Sequence, residues 1–134
     1  MQSVKIFALA AAVILLFLLL LTGAFYYKTE LEPTPVITEV SPNGEAELTI
    51  YQIGEPAWPF GPTDCRFVLQ IAGARAVKYG FSIHDDGAPA TEGNFRITWK
   101  QDHVEILVRA SEQYAHTYML YFDGNTAVCQ EDFS

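Results

Sequence analysis

"NFRITWKQDHVEILVR", residues 94–109, decides the fold. Its apolar residues fall two apart. Phe95, Ile97 and Trp99 alternate with Asn94, Arg96, Thr98 and Lys100, and Val104, Ile106 and Val108 continue the pattern. A period of two puts alternate side chains on opposite faces of an extended chain, whereas a helix requires a period of 3.6. If Gln101 and Asp102 close a two-residue loop, Trp99 faces Val104, Ile97 faces Ile106 and Phe95 faces Val108. Both strands then bury the same face, so register and pattern agree. Gln-Asp is not the Asn-Gly such loops prefer, which also admits a longer loop with the same apolar register.

The alternation spreads outward from this hairpin. "RFVLQI" gives Phe67, Leu69 and Ile71; "VKYGFSIH" gives Val77, Tyr79, Phe81 and Ile83; "TYMLYF" gives Tyr118, Leu120 and Phe122. "SPNG" at 41–44 is a turn, with Asn43-Gly44 suited to positive φ, and it separates "VITEV" from "AELTIYQI". Seven strands are predicted close to 37–41, 45–53, 65–72, 76–84, 94–100, 103–110 and 116–122. The predicted fold is all-β: a small antiparallel β-sandwich or barrel preceded by one N-terminal transmembrane helix. No internal repeat or low-complexity tract interrupts it.

That helix is read from "IFALAAAVILLFLLLLTGAF", residues 6–25, which contain no charge. As a helix it spans roughly 30 Å, the thickness of a bilayer's hydrocarbon core. Tyr26 and Tyr27 stand where an interfacial aromatic belt belongs. A cleaved signal peptide has a shorter apolar region and a small-x-small site, for which Thr22-Gly23-Ala24 is a poor match. No cysteine follows the run, which excludes a lipoprotein signal. An uncleaved anchor over residues 1–28 is therefore expected, with the membrane engaged through 6–27. Lys5 and the amino terminus then lie in the cytoplasm and the C-terminal domain outside it. "Small-xxx-small" spacing at Ala8 and Ala12 is weak evidence for a helix partner.

Residues 29–35 read as a short extended linker and 36–134 as the extracytoplasmic β-domain. All 16 acidic residues follow Lys28, against six basic ones, leaving that part ten net negative charges. Such a surface repels phosphate backbones, so nucleic acid is not an expected partner.

"EPAWPFGPTDC", residues 55–65, cannot lie inside a sheet, because Pro56, Pro59 and Pro62 each remove a donor. Trp58 and Phe60 are read first as a plug for the open end of the sandwich. The second reading makes them exposed binding anchors preorganised by proline. Cys65 and Cys129, even in number on an exported domain, are expected to form a disulfide. His84, His103 and His116 show no metal-ligand spacing, and "HDDG" lacks the alternating acids of a calcium loop. No metal or other cofactor is expected. No nucleophile motif or phosphate loop appears, so no catalytic residue is assigned.

"SPNGEAELTIYQIGEPAWPFG", residues 41–61, resembles a stretch of small membrane-anchored bacterial proteins of Gram-positive type. They share a serine-proline-(aspartate or asparagine)-glycine turn and a tryptophan-proline-phenylalanine-glycine loop. Weaker similarity continues through "FSIHDDGA", "ITW" and "YFDG". The resemblance implies that turn and loop are features of the fold, and it implies no activity.

The expected function is a non-enzymatic, membrane-anchored binding module, engaging another envelope protein through a sheet edge or the aromatic loop. Two rivals stand beside it. One is a small envelope hydrolase using His84, Asp85 and Asp86. The other is an accessory subunit of a membrane complex that acts through its transmembrane helix.

Overall fold

The computed structural model describes residues 2–130, so the last four residues assigned to the β-domain lie outside the described part. The hairpin forms with the register read from its sequence. Strand β5 (Phe95–Trp99) pairs antiparallel with β6 (His103–Val108), placing Phe95 opposite Val108, Ile97 opposite Ile106 and Trp99 opposite Val104. Lys100 N–H donates to His103 O at 2.9 Å, so Gln101 and Asp102 are the two loop residues. Val104, Ile106 and Val108 are fully buried while Arg96 and Thr98 face solvent.

Strands β1 (Pro33–Val40), β2 (Ala46–Ile53), β3 (Thr63–Ile71) and β4 (Val77–Ile83) form one four-stranded antiparallel sheet in chain order. The second sheet, also of four strands in chain order, adds β7 (His116–Tyr121) and β8 (Thr126–Gln130) to the hairpin. The architecture is an open sandwich rather than a closed barrel, with eight strands among the described residues rather than seven. The additional strand is β8. The first strand also begins earlier than expected, at Pro33, so the end of the stretch read as a linker is already paired with β2.

The core lies between the sheets. Along β3 the residues Thr63, Cys65, Phe67 and Leu69 are buried in strict alternation with outward Asp64, Arg66 and Gln70, except for half-buried Val68. Phe67 stacks on Phe81 of β4 with ring centroids 4.1 Å apart, and Tyr118 of β7 meets Phe67 edge-on at 5.2 Å. Aromatic and β-branched residues, with Leu48, Leu69 and Leu120, fill this pleated interior.

Ser41 builds the first turn: its hydroxyl donates to Asn43 Oδ1 at 2.6 Å and accepts from Ala46 N–H at 3.0 Å. Only Gly44 of that turn takes positive φ, at 75°.

Helix α1 (Gln2–Tyr26) is followed by one π-helical turn (Tyr27–Leu31), and Glu32 alone separates that turn from β1. This helix is long and apolar enough to cross a membrane, and none of its residues is buried against the domain. Its end is bonded to the sheet. Gly54 N–H donates to Glu32 O at 2.8 Å, and Glu55 N–H donates to Thr29 O at 2.6 Å. Gly54 holds φ at 69°, and a Cβ there would run into the Thr29 carbonyl oxygen. A glycine is required for this approach.

Antiparallel order fixes what else lies at this end. Because β1 starts at the helix, the connections after β2, β4 and β6 return there, while the turns after β1, β3, β5 and β7 lie at the far end. The helix end therefore carries residues 54–62, 84–94 and 109–115. Hydrogen bonds join them to the sheet and to one another. Thr63 Oγ1 donates to Ala88 O at 2.9 Å, Ala90 N–H to Gln52 Oε1 at 2.8 Å and Glu112 N–H to His84 O at 3.0 Å.

Candidate functional site

The 55–62 loop closes on itself. Gly61 N–H donates to Ala57 O at 2.7 Å, and Ala57 N–H donates to Pro62 O at 3.0 Å. A side chain on Gly61 would meet Ala57 Cβ at 2.6 Å, so only glycine lets the turn tighten this far. The neighbouring connection packs on the loop's backbone: Gly87, with φ at 75°, would carry a Cβ only 3.0 Å from Phe60 Cα. With the backbone held on its inner side, the rings project outward. Trp58 is 92% exposed and Phe60 70% exposed.

This overturns the plug reading of Trp58 and Phe60. The end of the sandwich is closed instead by the 84–94 connection, whose Ala90 packs on the core and whose Asn94 is buried. The tight turn has no length left to fold its aromatic residues inward. Beside it lies an open groove of about 450 Å³ lined by Gln52, Glu55, Pro56, Trp58, Pro59 and Pro89, among others. Two large rings thus face water on a backbone fixed by prolines and hydrogen bonds. Tyr114, also exposed, lies on the 109–115 connection at the same end.

The expected disulfide does not form. Cys65 is buried in β3 of the first sheet, whereas Cys129 is exposed on β8, the last strand of the second. Both thiols are free. Burial, with a smaller contribution from Asp64, pushes the Cys65 thiol up to about 12, so it is neither a nucleophile nor a thiolate ligand near neutral pH.

His84, Asp85 and Asp86 lie together in sequence but work as loop architecture. His84 N–H donates to Gln113 Oε1 at 2.7 Å. Asp85 Oδ1 accepts from Ser111 N–H at 3.0 Å, and hydrogen bonds from Ser111 hold the Asp85 carboxyl below its ordinary value. A carboxylate kept ionised this way is a poor general acid. Asp86 occupies the left-handed region, with φ at 54°. Among the described residues no three metal-ligating side chains converge. His103 lies at the far end, on β6, with Nδ1 2.6 Å from Asp102 Oδ1 and Nε2 3.1 Å from Glu105 Oε1.

Sequence reasoning did not find the residue that organises the helix-side loops. Asn94 is buried, and its Oδ1 accepts from Thr91 N–H at 2.9 Å while its Nδ2 donates to Arg109 O at 2.8 Å. The available signal was the Thr91-to-Asn94 spacing, which forms a capping box on the 3₁₀ turn Glu92–Asn94. Comparison of the chain with protein-family models, curated proteins and solved structures finds no match.

Proposed function

We propose that this chain is a non-enzymatic, single-pass membrane protein that holds an acidic β-sandwich outside the cytoplasmic membrane as a binding module. Its contact surface is the 55–62 loop. The observation that carries this reading is the exposure of Trp58 and Phe60 on a backbone that is hydrogen-bonded and proline-stiffened. A monomer gains nothing in folding from rings left in water, so their value lies in what they meet. The 25-residue helix α1 supports the anchor, and the structural employment of Asp85 supports a role other than hydrolysis.

The test compares two aromatic deletions in the same chain. Trp58→Ala should leave the unfolding free energy within about 0.5 kcal/mol of wild type, because the ring has few contacts to lose. Phe67→Ala, fully buried, should cost about 3–5 kcal/mol. Equal losses in urea unfolding would make the loop structural and end the proposal. Fractionation checks the anchor: the chain should stay with membranes through high salt, and a soluble product beginning near Phe25 would contradict it.

A further inference from the structure

The 55–62 loop is placed where a bilayer surface would be. Its root is bonded to the end of the helix through Glu55 N–H and Thr29 O, 2.6 Å apart. Thr29 stands two residues beyond Tyr27, the second of the paired tyrosines that end the apolar stretch. At about 1.5 Å of rise per residue, that is roughly 3 Å past the expected interfacial level. From Glu55 the chain continues off the end of the sheet, away from the far turns and toward the side from which α1 enters.

We infer that Trp58 and Phe60 form a second membrane contact, seated at headgroup level in the leaflet from which α1 emerges. This rests on the reading of α1 as a membrane anchor. The chemistry of the loop matches that level. Tryptophan favours the interface, where its ring is dehydrated while its N–H keeps a polar neighbour. The prolines remove backbone donors that would otherwise need satisfying near lipid. With Glu32 alone between the π turn and β1, this end of the domain stays close to the end of α1, which favours a membrane contact over a protein partner that needs the face open to bulk solvent.

The charges around the loop set the depth and the lipid. Glu30, Glu32, Glu55, Asp85, Asp86, Glu92 and Glu112 lie at this end, opposed by Lys28 and Arg109. Carboxylates do not enter hydrocarbon, so the rings reach the headgroups and upper chains and go no further. The same charges disfavour an anionic surface, and the lipid that fits is a net-neutral one. The loop then acts as a foot beside the helix, fixing the tilt of the sandwich on the membrane.

The experiment uses the full chain reconstituted in phosphatidylcholine liposomes and recovered by flotation. The chain has two tryptophans, so Trp99→Phe leaves Trp58 as the sole emitter. The expected result is blue-shifted Trp58 emission, quenched by lipids brominated near the top of the acyl chain and several-fold less sensitive to aqueous iodide than free tryptophan. Including phosphatidylglycerol at low ionic strength should weaken the lipid quenching. Trp99 Nε1 donates to Glu39 Oε1 at 2.7 Å, and its replacement can disturb the fold. A parallel sample therefore keeps both residues as 5-fluorotryptophan, assigns Trp58 by Trp58→Phe, and reads broadening of its ¹⁹F resonance by spin-labelled lipid. Flotation with a red, iodide-quenched Trp58 and an unbroadened resonance would overturn the inference, leave the anchor standing and free the loop for a protein partner. Failure to float would overturn both.

Discussion

Replacing Asn94 tests whether the helix-side end of the sandwich is held by a polar clasp rather than by aromatic residues. The side chain is 7% exposed and bonds two backbone groups on separate connections, Thr91 N–H at 2.9 Å and Arg109 O at 2.8 Å. Asn94→Ala strands both groups. Each unsatisfied buried group costs about 1–3 kcal/mol, and partial access of water to the loops favours the lower half of that range. The expected loss is therefore about 2–4 kcal/mol in urea unfolding followed by far-UV circular dichroism. Asn94→Asp is the sharper change. It keeps an acceptor for Thr91, but an ionised carboxylate cannot donate to Arg109 O and would also face Asp85 Oδ2, which lies 3.5 Å from the present amide nitrogen. At pH 7 it should be at least as destabilising as alanine. A carboxyl placed against two acceptors has its folded pKa raised, so the folded state binds the proton more tightly and stability is regained as pH falls. Asn94→Asp should accordingly gain on Asn94→Ala between about pH 7 and 5. Wild-type stability of Asn94→Asp at pH 7, or an alanine variant within about 0.5 kcal/mol of wild type, would refute the clasp.

Two further outcomes follow from the geometry. Gly54→Ala should cost about 1–2 kcal/mol for left-handed backbone in any chain, and more in the full chain, where the new Cβ meets the Thr29 carbonyl. Equal losses in the full chain and in a domain starting after the π turn would show that the helix end does not touch the sheet. His103 is raised chiefly by its hydrogen bond to Asp102, and Asp102 is lowered by the same bond. The histidine's contribution is complete below its unfolded pKa and fades as pH rises through the raised folded value. The aspartate's contribution is complete above its unfolded pKa and fades in acid. Their joint contribution should peak between roughly pH 4 and 6.5, and His103→Gln should flatten that feature in pH-dependent melting.

Most of the fold could be read from period-two patterning because one face of each strand is buried and the other is not. The β5–β6 register followed from three apolar pairs, and β3 and β4 followed from Phe67, Leu69, Tyr79 and Phe81. β8 was missed because "TAVCQ" is an edge strand whose Val128, opposite buried Tyr118, is still 43% exposed, leaving little burial to impose a pattern. The Asp123-Gly124 pair before it is a hairpin signal, and Gly124 does take positive φ at 101°. The disulfide was misjudged because cysteine parity says nothing of whether each side chain faces the core or solvent. Cys65 is buried between the sheets, whereas Cys129 is exposed on the edge strand β8.

The aromatic loop was ambiguous for a more general reason. Prolines around a tryptophan stiffen a chain equally well whether its ring turns inward or outward, so composition alone cannot set the direction. What sets it is the rival occupant of the sandwich end, the 84–94 connection, held by Gln52, Thr63 and Asn94 through polar side chains that carry no hydrophobic pattern. The position of the loop, by contrast, follows from strand parity. In an antiparallel meander whose first strand begins at the helix, every even-numbered strand ends beside that helix. The three longest connections follow β2, β4 and β6, while the far end has only short turns. Adding β8 does not alter this parity. The greater part of the connecting sequence thus lies at the end nearest helix α1. Trp58 and Phe60 belong to the first of these connections, so the exposed rings lie at the helix end of the sandwich and not on the far turns.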